Sequence, residues 1–170
     1  SDLPIELLAP AKNLECGMEA INHGADAVYI GAPRFGARAA AGNSLEDIEA
    51  LVRYAHLYRV RIYVTVNTIL KDEELAETEK MIWDLYRIGV DALIVQDMGI
   101  TRLNLPPIPL HASTQMDNRT PQKVKFLAEA GFRQVVLARE LTLDEIAKIH
   151  AACPDTPLEV FVHGALCVSY

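Results

Sequence analysis

Seven short apolar runs recur along the chain, each ending at a polar residue or a glycine, and this alternation constrains the fold more than any other feature. The runs are Ile5–Ala9, Ala27–Ile30, Ile62–Val66, Ala92–Val95, Ile108–Ala112, Gln134–Ala138 and Leu158–Val162. Between most of them the apolar positions follow helical spacing, as in Leu45, Ile48, Leu51, Val52 and Ala55. Strands that are apolar on both faces belong in a parallel sheet covered by helices. Such sheets keep their chemistry at the carboxyl ends of the strands.

The junctions carry the same message. Gly24-Ala-Asp-Ala-Val-Tyr-Ile, Gly89-Val-Asp-Ala-Leu-Ile-Val and Gly131-Phe-Arg-Gln-Val-Val-Leu form a weak internal repeat. In each, a glycine after a helix is suited to the left-handed position and a strand begins within three residues. Helix starts are marked by Ser44 with Asp47, Thr142 with Glu145, and Thr120 before Pro121. The link from Met98 to Leu105 is short and meets Pro106-Pro107, leaving room for barely two turns. A doubly wound nucleotide-binding sheet would place a glycine-rich turn after its first strand, where this chain has Pro10-Ala11-Lys12-Asn13-Leu14. The pattern therefore predicts an α/β fold: an incomplete (β/α)8 TIM-type barrel with seven parallel strand units and the eighth missing. Such a barrel would expose an unpaired strand edge, through which copies could self-associate.

The formal net charge of −7 excludes a broadly basic, nucleic-acid-coating surface on this chain. Acid concentrates on predicted helices, whereas Lys12, Arg34, Arg38 and Arg139 fall where strands end. A locally cationic mouth suits an anionic ligand; solvated, scattered charge is the plain alternative. No run approaches the ~20 apolar residues of a membrane-spanning helix. Cys16, Cys153 and Cys167 are odd in number and far apart, which argues against a disulfide framework and for a reducing cytoplasm.

The polar residues at strand ends are the candidates for chemistry. Strand one delivers Lys12 and Asn13, strand four Gln96-Asp97, strand five Ser113-Thr114-Gln115, and strand six Arg139-Glu140. Asn67, Gln115 and His163 are the candidate catalytic residues; the first two could instead satisfy buried loop backbone. Arg34, Arg38 and Arg139 are candidate substrate-binding residues, because guanidinium groups bind carboxylate or phosphate bidentately. Arg139 could equally form a structural ion pair with Glu140. His111 is expected inside a strand, buried and hydrogen-bonded. Cys16 and Cys153 read as small core hydrophobes in helices. Cys167 follows the last strand, where a thiolate could serve as ligand or nucleophile. No Ser/His/Asp order, His-Glu-x-x-His helix or paired Cys-x-x-Cys is present.

The final segment, Glu159-Val-Phe-Val-His-Gly-Ala-Leu-Cys-Val-Ser-Tyr170, resembles the first part of the signature of the collagenase-like peptidase family of unknown catalytic type, U32. The resemblance spans essentially the whole chain. It includes Glu6-Leu-Leu-Ala-Pro-Ala11, Asp91-Ala-Leu-Ile-Val-Gln-Asp97 and Leu137-Ala-Arg-Glu-Leu141. Phe35-Gly-Ala-Arg38, Asn67-Thr-Ile-Leu70 and His111-Ala-Ser-Thr-Gln115 add to it, most closely in the bacterial branch that hydroxylates a cytidine of large-subunit ribosomal RNA. The resemblance implies a barrel, residues 1–170, truncated before the rest of the cluster-binding motif and the C-terminal domains. It also implies an iron–sulfur cluster held by four cysteine thiolates, with Cys167 matching the first. The implied activity is oxygen-independent hydroxylation of an RNA base in the full-length protein, with prephenate as hydroxyl source and ribosomal RNA held by other domains. The fragment alone would be inactive. Proteolysis, as the family name suggests, and hydroxylation of a quinone precursor stand as alternatives.

Overall fold

The computed structural model describes residues 5–35, 39–40, 42–66, 74–113, 121, 122, 125, 129, 134–136, 143–155 and 158–161. In chain order these contain β1 (Ile5–Ala11), α1 (Leu14–Asn22), β2 (Ala27–Gly31), α2 (Leu45–Leu57), β3 (Arg61–Val66) and α3 (Leu75–Arg87). There follow β4 (Ala92–Val95), a 3-10 helix (Met98–Arg102), β5 (Leu110–Ala112), β6 (Gln134–Val136), α4 (Leu143–Ala152) and β7 (Leu158–Phe161). Pro121, Gln122, Lys125 and Glu129 are also helical. No helix among the described residues is long and apolar enough to cross a membrane.

The seven strands among the described residues are all parallel, and they close into a barrel. Closure corrects the expectation of an open edge. β1 pairs with β7 in the register Ile5↔Leu158 through Leu8↔Phe161, while the other side of β1 pairs with β2. The backbone groups that a missing eighth strand would have left unpaired are thereby engaged within the chain. The proposed route to self-association through that edge loses its basis.

Strand alternation separates two apolar layers. Val28, Ile30, Ile62, Val64, Val66, Leu93 and Val95 face the helices and meet Ile48, Leu51, Val52, Ile82 and Leu85. Leu8, Ala27, Tyr63, Ala92 and Ile94 fill the lumen, with Tyr29 against them. Full burial of such side chains contributes ~1.5–3 kcal/mol each, so the barrel is a packed core and not a pore.

Helix ends repeat one device. Ala25, Val60 and Val90 donate their N–H groups to Ala20, Ala55 and Leu85 at 3.2, 3.0 and 3.1 Å. The preceding residues, Gly24, Arg59 and Gly89, donate to Ile21, His56 and Tyr86. These are three Schellman caps, and each needs a left-handed residue. Gly24 and Gly89 have φ of 89° and 97°, and Arg59 has φ of 59°. At the opposite end, Ser44 Oγ accepts from Asp47 N at 3.1 Å and starts α2 as expected.

Candidate functional site at the barrel mouth

Polar residues at the carboxyl ends of the first five strands divide into those that build the rim and those left exposed on it. Asn13 belongs to the first group: its Oδ1 accepts from Cys16 N at 2.9 Å and caps α1. Asp97 is likewise a cap, its Oδ1 accepting from Gly99 N at 2.8 Å to start the 3-10 helix. Each of these oxygens is thus committed to starting a helix. Lys12 and Arg34, from the ends of adjacent strands β1 and β2, are both exposed. Arg34 makes no ion pair among the described residues. Solvated cations on adjacent strand ends can receive an anion at small desolvation cost.

The loop after β2 is held from both sides. Asn43 Nδ2 donates to Gly31 O at 3.2 Å, and Ala32 N donates to Thr65 O at 3.0 Å. Thr65 Oγ1 lies 3.5 Å from Ile30 O. Asn43, Gly42 and Thr65 were not singled out from sequence. The available signal was a short Gly-Asn pair just ahead of the Ser44 cap. Gln96 is half-buried and Ser113 buried, Ser113 N donating to Val95 O at 2.9 Å.

His111 is 3% exposed, as expected for a residue inside β5. Its ring meets Tyr63 edge-on in the lumen, with centroids 4.6 Å apart at 74°. The other candidates, Asn67, Gln115, His163, Arg38, Arg139 and Cys167, lie outside the described residues. Among the candidate catalytic and substrate-binding residues Arg34 is described: it is exposed and lies shortly after the end of β2.

The cysteines do not assemble a cluster site among the described residues, which hold no group of three metal-ligating side chains. Cys16 is buried, as expected for a small core residue in α1. Cys153 is a buried free thiol whose Sγ lies 3.6 Å from Pro121 O. Burial pushes its pKa up, with Lys125 opposing in part, so it is kept from the thiolate form that ligation needs. Cys167, the residue that the resemblance assigns to a cluster, lies outside the described residues.

Comparison with known proteins agrees with this architecture. The chain is 61% identical over 166 residues to the 23S rRNA 5-hydroxycytidine C2501 synthase of Escherichia coli (strain K12), an alignment covering 98% of the chain and 25% of that protein. It is 37% identical to the tRNA hydroxylation protein P of the same organism, covering 97% of the chain and 37% of the relative. The chain thus spans about a quarter to two-fifths of the length of these relatives. A solved U32 peptidase superposes with a TM-score of 0.66 at 12% identity, over 94% of this chain and 69% of the other, which supports the fold alone. The family model described as Peptidase family U32 matches residues 12–170, and the chain belongs to that family.

Proposed function

We propose that this chain is the barrel portion of an RNA base hydroxylase, with a cytidine of large-subunit ribosomal RNA as its substrate. The observation that carries the reading is the 61% identity to an rRNA 5-hydroxycytidine synthase across 98% of the chain. The barrel supplies a packed core below a mouth that exposes Lys12 and Arg34. In this reading Arg34, with Arg38 and Arg139, binds the carboxylates of prephenate as hydroxyl source, while Asn67, Gln115 and His163 orient the reacting groups. Cys167 is the chain's contribution to an iron–sulfur cluster. No step is routed through that cluster. The acidic barrel assigns most RNA phosphate contacts to other parts of a cytoplasmic full-length protein.

The test is complementation. Full-length protein is expressed in cells lacking their own 23S rRNA cytidine hydroxylase, and rRNA nucleosides are measured by mass spectrometry. Restored 5-hydroxycytidine supports the reading. No restoration, with gelatin cleaved by purified protein, would replace it with the peptidase activity that the family name carries. Anaerobically purified protein that is colourless and free of iron would remove the cluster.

A further inference from the structure

We infer that Gly42 and Asn43 are positioning residues for Arg34, holding it over the barrel mouth by fastening the two limbs of the β2–α2 loop together. The inference rests on the anion-binding reading of Arg34 and adds to it the residues that fix where that arginine stands. The outgoing limb leaves β2 at Gly31, which pairs in register with Thr65. The returning limb ends at Ser44, whose hydroxyl caps α2. Between these anchors Asn43 donates from Nδ2 to Gly31 O at 3.2 Å, closing the loop with a side chain where a strand partner would otherwise sit.

Gly42 makes the second closure, and here what matters is space. Its φ is not in the left-handed region, which among the described glycines holds only Gly24 and Gly89. A Cβ at Gly42 would lie 2.6 Å from the backbone N of Arg34, and 3.0 and 3.1 Å from its Cγ and Cβ. The nearest of those atoms is backbone, so any side chain at Gly42 must push the Arg34 main chain away. α2 cannot yield in its place, because Ile48 and Leu51 are fully buried one turn further on. Arg34 itself is exposed and has no ion pair among the described residues, so its reach is set by its backbone. Displacing a binding group by ~1 Å can cost ~100-fold in a well-organised site.

The test uses full-length protein, with 5-hydroxycytidine formation followed at varied prephenate. Arg34→Ala, Gly42→Ala, Asn43→Ala and the double variant Arg34→Ala/Gly42→Ala are compared for KM and kcat, with thermal melting as the check on folding. The expected result is a ~10-fold or larger rise in KM for prephenate in each single variant, kcat within about twofold, and no further rise in the double variant. Non-additivity is the readout that a general loss of structure would not give. If Arg34→Ala raises KM but Gly42→Ala and Asn43→Ala leave it unchanged, or add to it independently, the inference is overturned and the Arg34 reading survives. If Arg34→Ala itself leaves KM unchanged, both fall. Should Gly42→Ala fail to fold, Asn43→Ala and its double with Arg34→Ala decide by the same criteria.

Discussion

Asp91 holds both backbone groups of Ile62: Oδ2 accepts from Ile62 N at 2.8 Å, and its own N–H donates to Ile62 O at 2.9 Å. The same clamp occurs two units earlier, where Asp26 Oδ2 accepts from Leu7 N at 2.9 Å and Asp26 N donates to Leu7 O at 3.1 Å. In both, the aspartate sits two residues after a left-handed glycine and just before a strand. The carboxylate thus reaches across to the beginning of an earlier strand and helps set the register there. At Asp91 the clamp also engages His56, whose Nε2 lies 2.9 Å from the same Oδ2.

Replacing Asp91 with alanine should lower stability by ~1–2 kcal/mol, the range for a hydrogen bond to a charged group reduced for partial exposure. Asp26→Ala should cost less, because that bond is more exposed. Urea unfolding of the two variants would check the order, and equal or absent effects would show that the clamps follow the register and do not stabilise it.

Arg59 offers the opposite prospect. It occupies the left-handed cap position that glycine holds after α1 and α3, where a side chain costs ~1–2 kcal/mol. Glycine also gives the unfolded chain more freedom, which offsets ~0.5–1 kcal/mol of that gain. Arg59→Gly should therefore stabilise by up to about 1 kcal/mol, seen as a higher urea midpoint at unchanged slope. Gly24→Ala and Gly89→Ala should both destabilise. A lower midpoint for Arg59→Gly would mean that the arginine side chain makes a contact outweighing its backbone cost.

The barrel was legible because buried strands and amphipathic helices have different apolar periods, and because Gly24 and Gly89 mark their junctions. Ring closure was not. The pairing of Leu8 with Phe161 joins residues far apart in sequence, and no local pattern encodes it. Strand five begins at Leu110, later than its apolar run suggested; Pro109 offers only its carbonyl, which accepts from Leu93 N. Asn13 shows how a polar strand end misleads. An asparagine just before an amphipathic run fits a helix cap as well as a ligand, and the cap prevails because helix N–H groups need acceptors. Arg34 was readable as a solvent-facing cation, whereas the closeness of Gly42 to its backbone depends on how the loop folds back, which residue types alone do not reveal.

Thr78 is fully buried on the inner face of α3 beside Met81 and Ile82, and its Oγ1 has no hydrogen-bond partner among the described residues. A hydroxyl withdrawn from water without a partner is costly, and valine has nearly the same shape. Thr78→Val should raise stability by roughly 1 kcal/mol, measured as a higher melting temperature. A fall instead would show that the hydroxyl finds an acceptor in solution.

Cys153 gives the protein a pH dependence with a definite sign. Burial raises its thiol pKa, with Lys125 lowering it in part, so the native state favours the protonated thiol more than the unfolded chain does. Its contribution to stability is complete below the unfolded thiol's pKa of ~8.5. It declines as pH rises through the higher folded value, because the unfolded state releases its proton first. Tyr54, raised chiefly by desolvation, acts with the same sign at higher pH. The Cys153 share is isolated by comparing urea unfolding of wild type and Cys153→Ala between about pH 7 and 9.5. The alanine variant should lose stability less steeply over that range, and native protein should resist iodoacetamide at Cys153 until unfolded. Parallel pH profiles together with rapid native alkylation would show instead that this thiol is open to solvent.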